Sequence, residues 1–412
     1  MANVFDYLKW RGDLSFSASP FNPVDNIIFS IISYYPLDNI VPQQSSEKPI
    51  TVYRTIKKLI EADKINPQIQ RNYLFKDDQV KFMHALLDAD RYKDIMLHLY
   101  ENKIDLERQL QFSALLFIGR NCLPYIAFRG TDASIVGWKE DFNMIFKKAI
   151  PAQIESVAYI EKAANFIKTQ PQVGRMTRFN VGGHSKGGNL AVYAAAFCKK
   201  SVRERIETIF NNDAPGFSKE TVKQGGYKEI QNKICSYIPQ DSIIGLLFEH
   251  QKKYFVVQSA ENGFMQHNPF SWQITRDNMC TLQSVTPKSK FLNRSLMKWL
   301  DGMDQVTRVK FINTLYDVLN KTNAKSIPDL TDNWLKNTVV MIKSMNELDK
   351  ESREMFSKIF AALVGIIVNN VKDNIIKPAV PLNIRAARRK VINKLKNAAI
   401  KSGVTAKNGR KE

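Results

Sequence analysis

The segment that decides the fold is Thr177–Lys200, which reads TRFNVGGHSKGGNLAVYAAAFCKK. Its first residues, TRFNV, favour a short strand, and its alanine-rich second half favours a helix. Between them lies a glycine-rich turn with the pattern G-x-S-x-G, in which Gly183 and Gly187 stand two positions from Ser185 on either side. The segment therefore predicts a strand that enters a sharp turn and leaves it as a helix.

The regions around this segment show the same alternation of strands and helices. Two apolar runs, Leu110–Gly119 and Leu123–Thr131, are separated by RNC and predict a hairpin in a buried sheet. Pro151–Gln170 has helical periodicity, and three further strand candidates follow the segment: RIETIFNND, KICSYIP and KYFVVQSA. This pattern predicts an α/β fold with helices on both faces of the sheet.

The remaining regions are predicted to be helical. Near the N-terminus we expect a helix at Pro23–Tyr35, another that ends near Lys64, and two more within Lys76–Asn102. After about Lys288 no strand pattern is found. The predicted parts are an N-terminal helical segment packed on the core (1–100), the α/β core (101–288), a helical extension (289–381) and a basic tail (382–412).

Ser185 occupies the position of the serine in a nucleophile elbow, where small residues on either side relieve the crowding of the turn. Such a serine needs an acid and then a histidine further along the chain. The acid candidates are Asp213 and Asp241, and the histidine candidates are His250 and His267. Asp241 directly follows the strand candidate KICSYIP, and a strand and loop deliver His267, so we predict the triad Ser185, Asp241 and His267. Asp241 could instead cap a helix, and His267 could be a loop histidine bonded to backbone.

Two backbone N–H groups are expected to bind the oxyanion that such a serine generates. One belongs to Lys186, which follows the serine, and the other to Thr131 in the loop after YIAFRG. In the same loop, Arg129 and Asp132 could form an ion pair. His184 is expected to pack beside the elbow and not to act as the base.

Several of these motifs resemble the class 3, or fungal-type, lipases. PYIAFRGTDASIVGWKEDF is similar to their F-R-G-[ST] segment with a following Trp and Asp, and VGGHSKGGNLAVYAA to their G-H-S-x-G-G elbow. The resemblance implies an α/β-hydrolase fold, Ser185 as nucleophile, Thr131 in the oxyanion hole and, through SYIPQDSIIG, Asp241 in the triad. With QHNPFSWQI and the opening NVFDYLKWRGDLSFSASPFNPVDN, residues 1–290 also resemble a bacterial family of lipase-related intracellular proteins.

The chain departs from the lipases at Lys186, because that family usually has an apolar residue after the nucleophile. The lysine side chain could contact an anionic substrate or point to solvent. In the lipases a lid lies between the oxyanion residue and the next helix. The corresponding segment here, DASIVGWKEDFNMIF, is too short for a large mobile cover.

Composition bounds the partners and the location of the chain. It has 412 residues, 44% of them hydrophobic and 24% charged, as in globular proteins. Its four cysteines are widely spaced and form no C-x-x-C pair, so we expect no metal, no disulfide framework and a reducing compartment. We also expect no cofactor, no secretory signal and no membrane span, since the longest apolar run, Ile359–Val368, is half of what a bilayer requires.

The net charge of +20 is unevenly distributed: residues 382–412 contain ten Lys or Arg and one acidic residue, a net +9, and the remaining +11 is spread over the first 381 residues. This tail can form a basic amphipathic helix that either covers the core or binds an anionic membrane surface. No nucleic-acid motif is found. The sequence therefore predicts a cytoplasmic serine esterase that acts on esters or lipid-like substrates, with peripheral membrane contact through the tail as an option. The alternative is a non-catalytic lipase-like scaffold that binds a membrane or another partner through its C-terminus.

Overall fold

The computed structural model describes residues 2–65, 75–132, 137, 140–141, 143–144, 147–170, 178–249 and 253–302, with single positions at 304, 306, 307, 309, 313 and 316. All of them belong to one compact unit, Met1–Ile367. The predicted tail, 382–412, and most of the predicted extension, 289–381, lie outside the described residues.

The core is a sheet of nine strands in which the central strands are parallel. Its order is β1-β2-β3-β4-β5-β6-β7-β8-β11, with β4 to β8 parallel to one another and the other pairs antiparallel. A separate antiparallel pair is formed by β9 and β10. The strands are β1 Ile50–Thr51, β2 Met96–Asp105, β3 Leu110–Ile118, β4 Tyr125–Phe128, β5 Phe179–His184, β6 Ile206–Asn212, β7 Ile234–Pro239, β8 Phe255–Val257, β9 Ile274–Thr275, β10 Asn278–Met279 and β11 Thr281–Leu282.

The helices lie before, between and after these strands. They are α1 Val4–Arg11, α2 Pro23–Ile32, α3 Val52–Ile65, α4 Lys76–Asp88, α5 Asp90–Lys93, α6 Pro151–Lys168, α7 Lys186–Phe197, α8 Lys200–Arg203, α9 Lys219–Val222, α10 Gly225–Ile230 and α11 Pro287–Asp301. The predicted hairpin is confirmed as β3 and β4, and the predicted strand–turn–helix segment as β5 and α7.

The two faces of the sheet are covered by different parts of the chain, as the alternation predicted. Successive residues of β3 point to opposite faces. Leu115 and Phe117 belong to a buried cluster with α1 to α5, whereas Ala114 and Leu116 belong to another with α6 and α7. The fold is therefore α/β, with helices on both faces of the central sheet.

One predicted element is wrong. The second helix expected within Lys76–Asn102 is only the four-residue α5, and the residues after it form β2. β2 pairs with β3, with a bulge between His98 and Glu101 and a left-handed backbone at Leu99 (φ 52°). Periodicity cannot separate a short buried strand from a helix, and here the long partner β3 supplies the backbone hydrogen bonds that favour the strand.

The N-terminal helices are held together by a buried ion pair between Asp25 and Arg91. The Arg91 Nε and Nη2 atoms lie 2.8 and 2.7 Å from the two carboxylate oxygens of Asp25, and both side chains are fully buried. The Tyr92 hydroxyl also donates to Asp25 (2.6 Å), and Arg91 donates to the carbonyls of Leu14 and Ser19 (both 2.9 Å). The pair thus joins α2, α5 and the loop that connects α1 to α2.

We expect Arg91→Met to lower the free energy of unfolding by about 3–5 kcal/mol, because it leaves the Asp25 carboxylate buried without its cation. The exposed pair of Arg178 and Glu207 provides the matched control, since Arg178→Met should change stability by less than about 1 kcal/mol. Urea denaturation of the three proteins measures both effects. Equal losses in the two variants would show that Arg91 and Asp25 do not organise this region.

Candidate active site

Ser185 lies at the sharp turn between β5 and α7. Its backbone has φ 58° and ψ −135°, a conformation that L-residues rarely adopt, and its N–H donates to the carbonyl of Asn212 (2.9 Å). A Cβ atom added at Gly183 or Gly187 would lie 2.4 or 2.1 Å from the Phe128 carbonyl oxygen. Only glycine fits at either position, and the flanking glycines predicted from the sequence therefore have the expected steric role.

His267 pairs with Asp213. The imidazole Nδ1 lies 2.6 Å from the Asp213 Oδ2, and Asp213 is almost completely buried directly after β6. The other oxygen, Oδ1, accepts hydrogen bonds from the Ser242 hydroxyl (2.5 Å) and the Gly245 N–H (3.1 Å). The Asp213 carboxylate is thereby fixed in one orientation toward the ring.

Asp241, the acid predicted from the sequence, does not pair with His267. Its carboxylate accepts from the Thr286 hydroxyl (2.5 Å) and the Gly263 N–H (3.3 Å), and its own N–H donates to the Gln266 side chain (2.8 Å). Asp241 therefore supports the segment that carries His267. The prediction was wrong because both acids follow strands, and the sheet order puts Asp213 at the end of β6, next to β5, and Asp241 after β7, one strand further away.

His184 links the elbow to His267, and the prediction that it packs beside the elbow is confirmed. Its Nε2 lies 2.8 Å from the His267 carbonyl oxygen, which can only accept, so Nε2 carries the proton. Its Nδ1 then accepts from the Tyr34 hydroxyl (3.0 Å). Burial, and then the neighbouring His267, hold the pKa of His184 well below its usual range, so this ring is neutral. The two imidazole centroids are 4.5 Å apart. The alternative base, His250, lies outside the described residues.

Thr131 lies in the loop that follows β4. Its hydroxyl donates to the Asp141 carboxylate (2.5 Å), and the preceding Gly130 is so close to the Tyr34 hydroxyl that a Cβ atom would lie 2.0 Å from it. The ion pair expected in this loop is present, with Arg129 Nη2 and Asp132 Oδ2 3.5 Å apart. The loop is thus held by Asp141 and Tyr34 from other parts of the chain and by its own ion pair.

The Lys186 side chain does neither of the things that the sequence suggested. It is 1% exposed, and its ammonium lies 2.9 Å from the Glu140 Oε2, 2.9 Å from the Gln111 carbonyl and 2.6 Å from the Gln111 side-chain oxygen. Each of the three N–H groups of the ammonium therefore has an acceptor within the protein. It therefore contacts neither solvent nor a bound substrate.

Sequence reasoning missed the partners of three residues: Asp141 for Thr131, Tyr34 for His184, and Gln111 and Glu140 for Lys186. One signal was available for the acids. A lysine that directly precedes the apolar run GGNLAVYAAA is expected to be buried, and a buried ammonium needs an acidic partner. The sequence offers Glu140 and Asp141 in GWKEDF, the segment between the Thr131 loop and the helix α6.

The Asp141 carboxyl should make the stability of the protein depend on pH. Burial raises its pKa to about 6, although the nearby Lys186 acts in the opposite direction. The native protein therefore retains a proton that the unfolded chain loses above about pH 4, and stability falls as pH rises from about 4 to 6. Asp141→Asn removes this titration and keeps an oxygen that can accept from Thr131.

We compare the free energy of unfolding of Asp141→Asn with that of the unsubstituted protein. The difference should move in favour of the variant, by on the order of 1–3 kcal/mol, when the pH is raised from 4 to 7. Urea denaturation of both proteins at the two pH values measures the difference. A stability difference that is the same at both values would contradict the assignment of a raised pKa to Asp141.

Within the described part of the chain, no group of three or more His, Cys, Asp or Glu side chains could hold a metal ion. The four cysteines are free. The same part of the chain has no helix with the length and apolar character needed to cross a bilayer.

Comparison with known proteins places the site within one family. The family model described as Mbeg1-like matches residues 86–317, which is more than half of the 412-residue chain and includes Thr131, Ser185, Asp213 and His267. No curated protein matches the chain. The match over the sheet, the elbow and the histidine segment shows that this chain belongs to the Mbeg1-like family, a lipase-like family of unknown function.

Proposed function

We propose that this protein is a serine hydrolase that cleaves carboxylic esters through Ser185, His267 and Asp213. The observation that carries the proposal is the His267–Asp213 pair, 2.6 Å between Nδ1 and Oδ2, in a chain whose Ser185 has the strained backbone of a nucleophile elbow. His184, the residue before that serine, is bonded to the His267 carbonyl oxygen (2.8 Å), and an acid–histidine pair is what activates a serine nucleophile. Membership of a lipase-like family supports the same reaction class.

In the proposed reaction, the Ser185 hydroxyl attacks the ester carbonyl while His267 Nε2 takes its proton. Asp213 accepts from Nδ1–H, which fixes the tautomer that leaves Nε2 basic and stabilises the imidazolium that forms. The imidazolium then gives its proton to the leaving alcohol, and an acyl group remains on Ser185. His267 then takes a proton from water, and the hydroxide attacks the acyl-enzyme. As the acyl–oxygen bond breaks, the imidazolium returns this proton to the Ser185 oxygen and the carboxylic acid leaves.

The backbone N–H groups of Lys186 and Thr131 are proposed to bind the oxyanion. Lys186 is the first residue of α7, where an N–H has no partner within the helix and where the helix dipole favours negative charge. Thr131 lies three residues after Phe128, the last residue of β4, which pairs with Gly183 across the β4–β5 ladder. This pairing brings the Thr131 loop to the same edge of the sheet as Ser185.

The alternative function, a non-catalytic scaffold, accounts less well for Asp213. A carboxylate buried to 1% exposure is unfavourable unless it is paired, and its partner here is His267, whose carbonyl is bonded to His184 of the elbow strand. The basic tail proposed to bind anionic membranes lies outside the described residues. That the ester is one of an acyl lipid is proposed on the lipase-like family alone.

A fluorophosphonate probe should label the unsubstituted protein at Ser185, because it reacts with activated serines. Ser185→Ala should abolish the label, whereas Ser201→Ala, at an exposed serine of α8, should leave it unchanged. Mass spectrometry of the labelled peptide identifies the site. An unlabelled natural protein, or label that survives Ser185→Ala, would rule out the proposed nucleophile.

Asp213→Asn should lower kcat for a short-chain nitrophenyl ester by about 10²–10⁴-fold, because the amide no longer fixes the basic tautomer of His267. Asp241→Asn should lower it by less than about 10-fold, since Asp241 contacts the histidine segment and not the ring. Steady-state kinetics of both variants separates the two acids. The reverse order of losses would return the catalytic role to Asp241.

A further inference from the structure

The ion pair between Lys186 and Glu140 is buried beside the proposed oxyanion site. The two side chains are 1% and 0% exposed, and their charged atoms are 2.9 Å apart. Lys186 is also the residue whose backbone N–H is proposed to bind the oxyanion. The side chain of the residue proposed to supply this amide is therefore held by buried contacts.

Glu140 connects this lysine to two other elements, and its neighbour Asp141 connects it to a third segment. Its Oε2 accepts from the Gln111 N–H in β3 (3.1 Å), and its Oε1 accepts from the Ala152 N–H in the first turn of α6 (2.9 Å). The next residue, Asp141, accepts from the Thr131 hydroxyl (2.5 Å) and lies 3.9 Å from the Lys186 ammonium. The pair thus joins the first turn of α7 to the segment that holds Thr131.

Stability alone does not explain why a charged pair occupies this place. Taking two charges out of water is unfavourable, and well-packed apolar side chains of similar volume are often as stabilising. The neighbouring helices have a further connection, because the Gln153 side chain donates to the Asn189 side chain between α6 and α7 (2.8 Å). Helices α6 and α7 are therefore already connected without the ion pair.

We propose that the Lys186–Glu140 pair positions the two oxyanion donors relative to each other, so that Lys186 and Glu140 are positioning residues for ester hydrolysis. This inference rests on the proposed function. Glu140 fixes the Lys186 side chain from one side and, through Asp141, the Thr131 loop from the other.

The test compares Lys186→Met, Glu140→Gln and the double variant with the unsubstituted protein. Lys186→Met leaves a buried carboxylate unpaired and should lower the urea midpoint, and the double variant should recover it because neither charge remains. Lys199→Met is the matched control, since it removes a lysine from an exposed pair with Glu161. Active enzyme is counted by fluorophosphonate titration, so that kcat refers to folded protein.

We expect kcat of the double variant and of Glu140→Gln to fall by about 10–100-fold while KM changes by less than about two-fold. Affinity for a trifluoromethyl ketone, which forms a tetrahedral anion on the serine, should fall by the same factor as kcat/KM. Lys199→Met should change none of these quantities.

A purely structural role predicts a different result: the double variant recovers its urea midpoint together with full kcat and full affinity for the ketone. That result, or full kcat in titrated Glu140→Gln, would overturn the positioning role and leave the proposed function intact. If the unsubstituted protein is neither labelled at Ser185 nor active on esters, the proposed function is overturned, and this inference with it.

Discussion

The contact between the β5–α7 turn and the end of β4 is the constraint on which the rest of the site depends. The turn passes so close to the Phe128 carbonyl that Gly183 and Gly187 leave no room for side chains, and Ser185 takes a left-handed backbone between them. Strain of this kind persists only where the surroundings determine it, and it occurs often at functional sites. Here parallel pairing of β4, β5 and β6 brings Thr131, Ser185 and Asp213 to one edge of the sheet.

The N-terminal helices complete this edge instead of merely covering the sheet. Tyr34, just after α2, contacts both His184 and the Thr131 loop at Gly130. Asn26 in α2 exchanges two side-chain hydrogen bonds of 3.0 Å with Asn212, which in turn accepts from the Ser185 N–H through its carbonyl. The buried pair of Asp25 and Arg91 fixes the helix that supplies these contacts, so the packing of the first hundred residues and the geometry of the elbow are coupled.

Local sequence patterns predicted much of the fold but only part of the candidate site. Ser185 and the strand–turn–helix unit could be predicted because their steric demands fall within ten residues of sequence. The choice of Asp213 over Asp241 could not, because both follow strands and only the order of β6 and β7 in the sheet separates them. The apolar run after Lys186 could have indicated that its side chain is buried, but it could not identify the partner. Glu140 is 46 residues away, and chain periodicity carries no information about such contacts.

A crystal structure of the phosphonate adduct tests the central claim most directly. We expect phosphorus bonded to the Ser185 Oγ and its oxyanion-like oxygen within hydrogen-bonding distance of the Lys186 and Thr131 N–H groups. His267 should remain paired with Asp213. An adduct on another residue, or an oxygen that faces solvent while His267 pairs with Asp241, would contradict it.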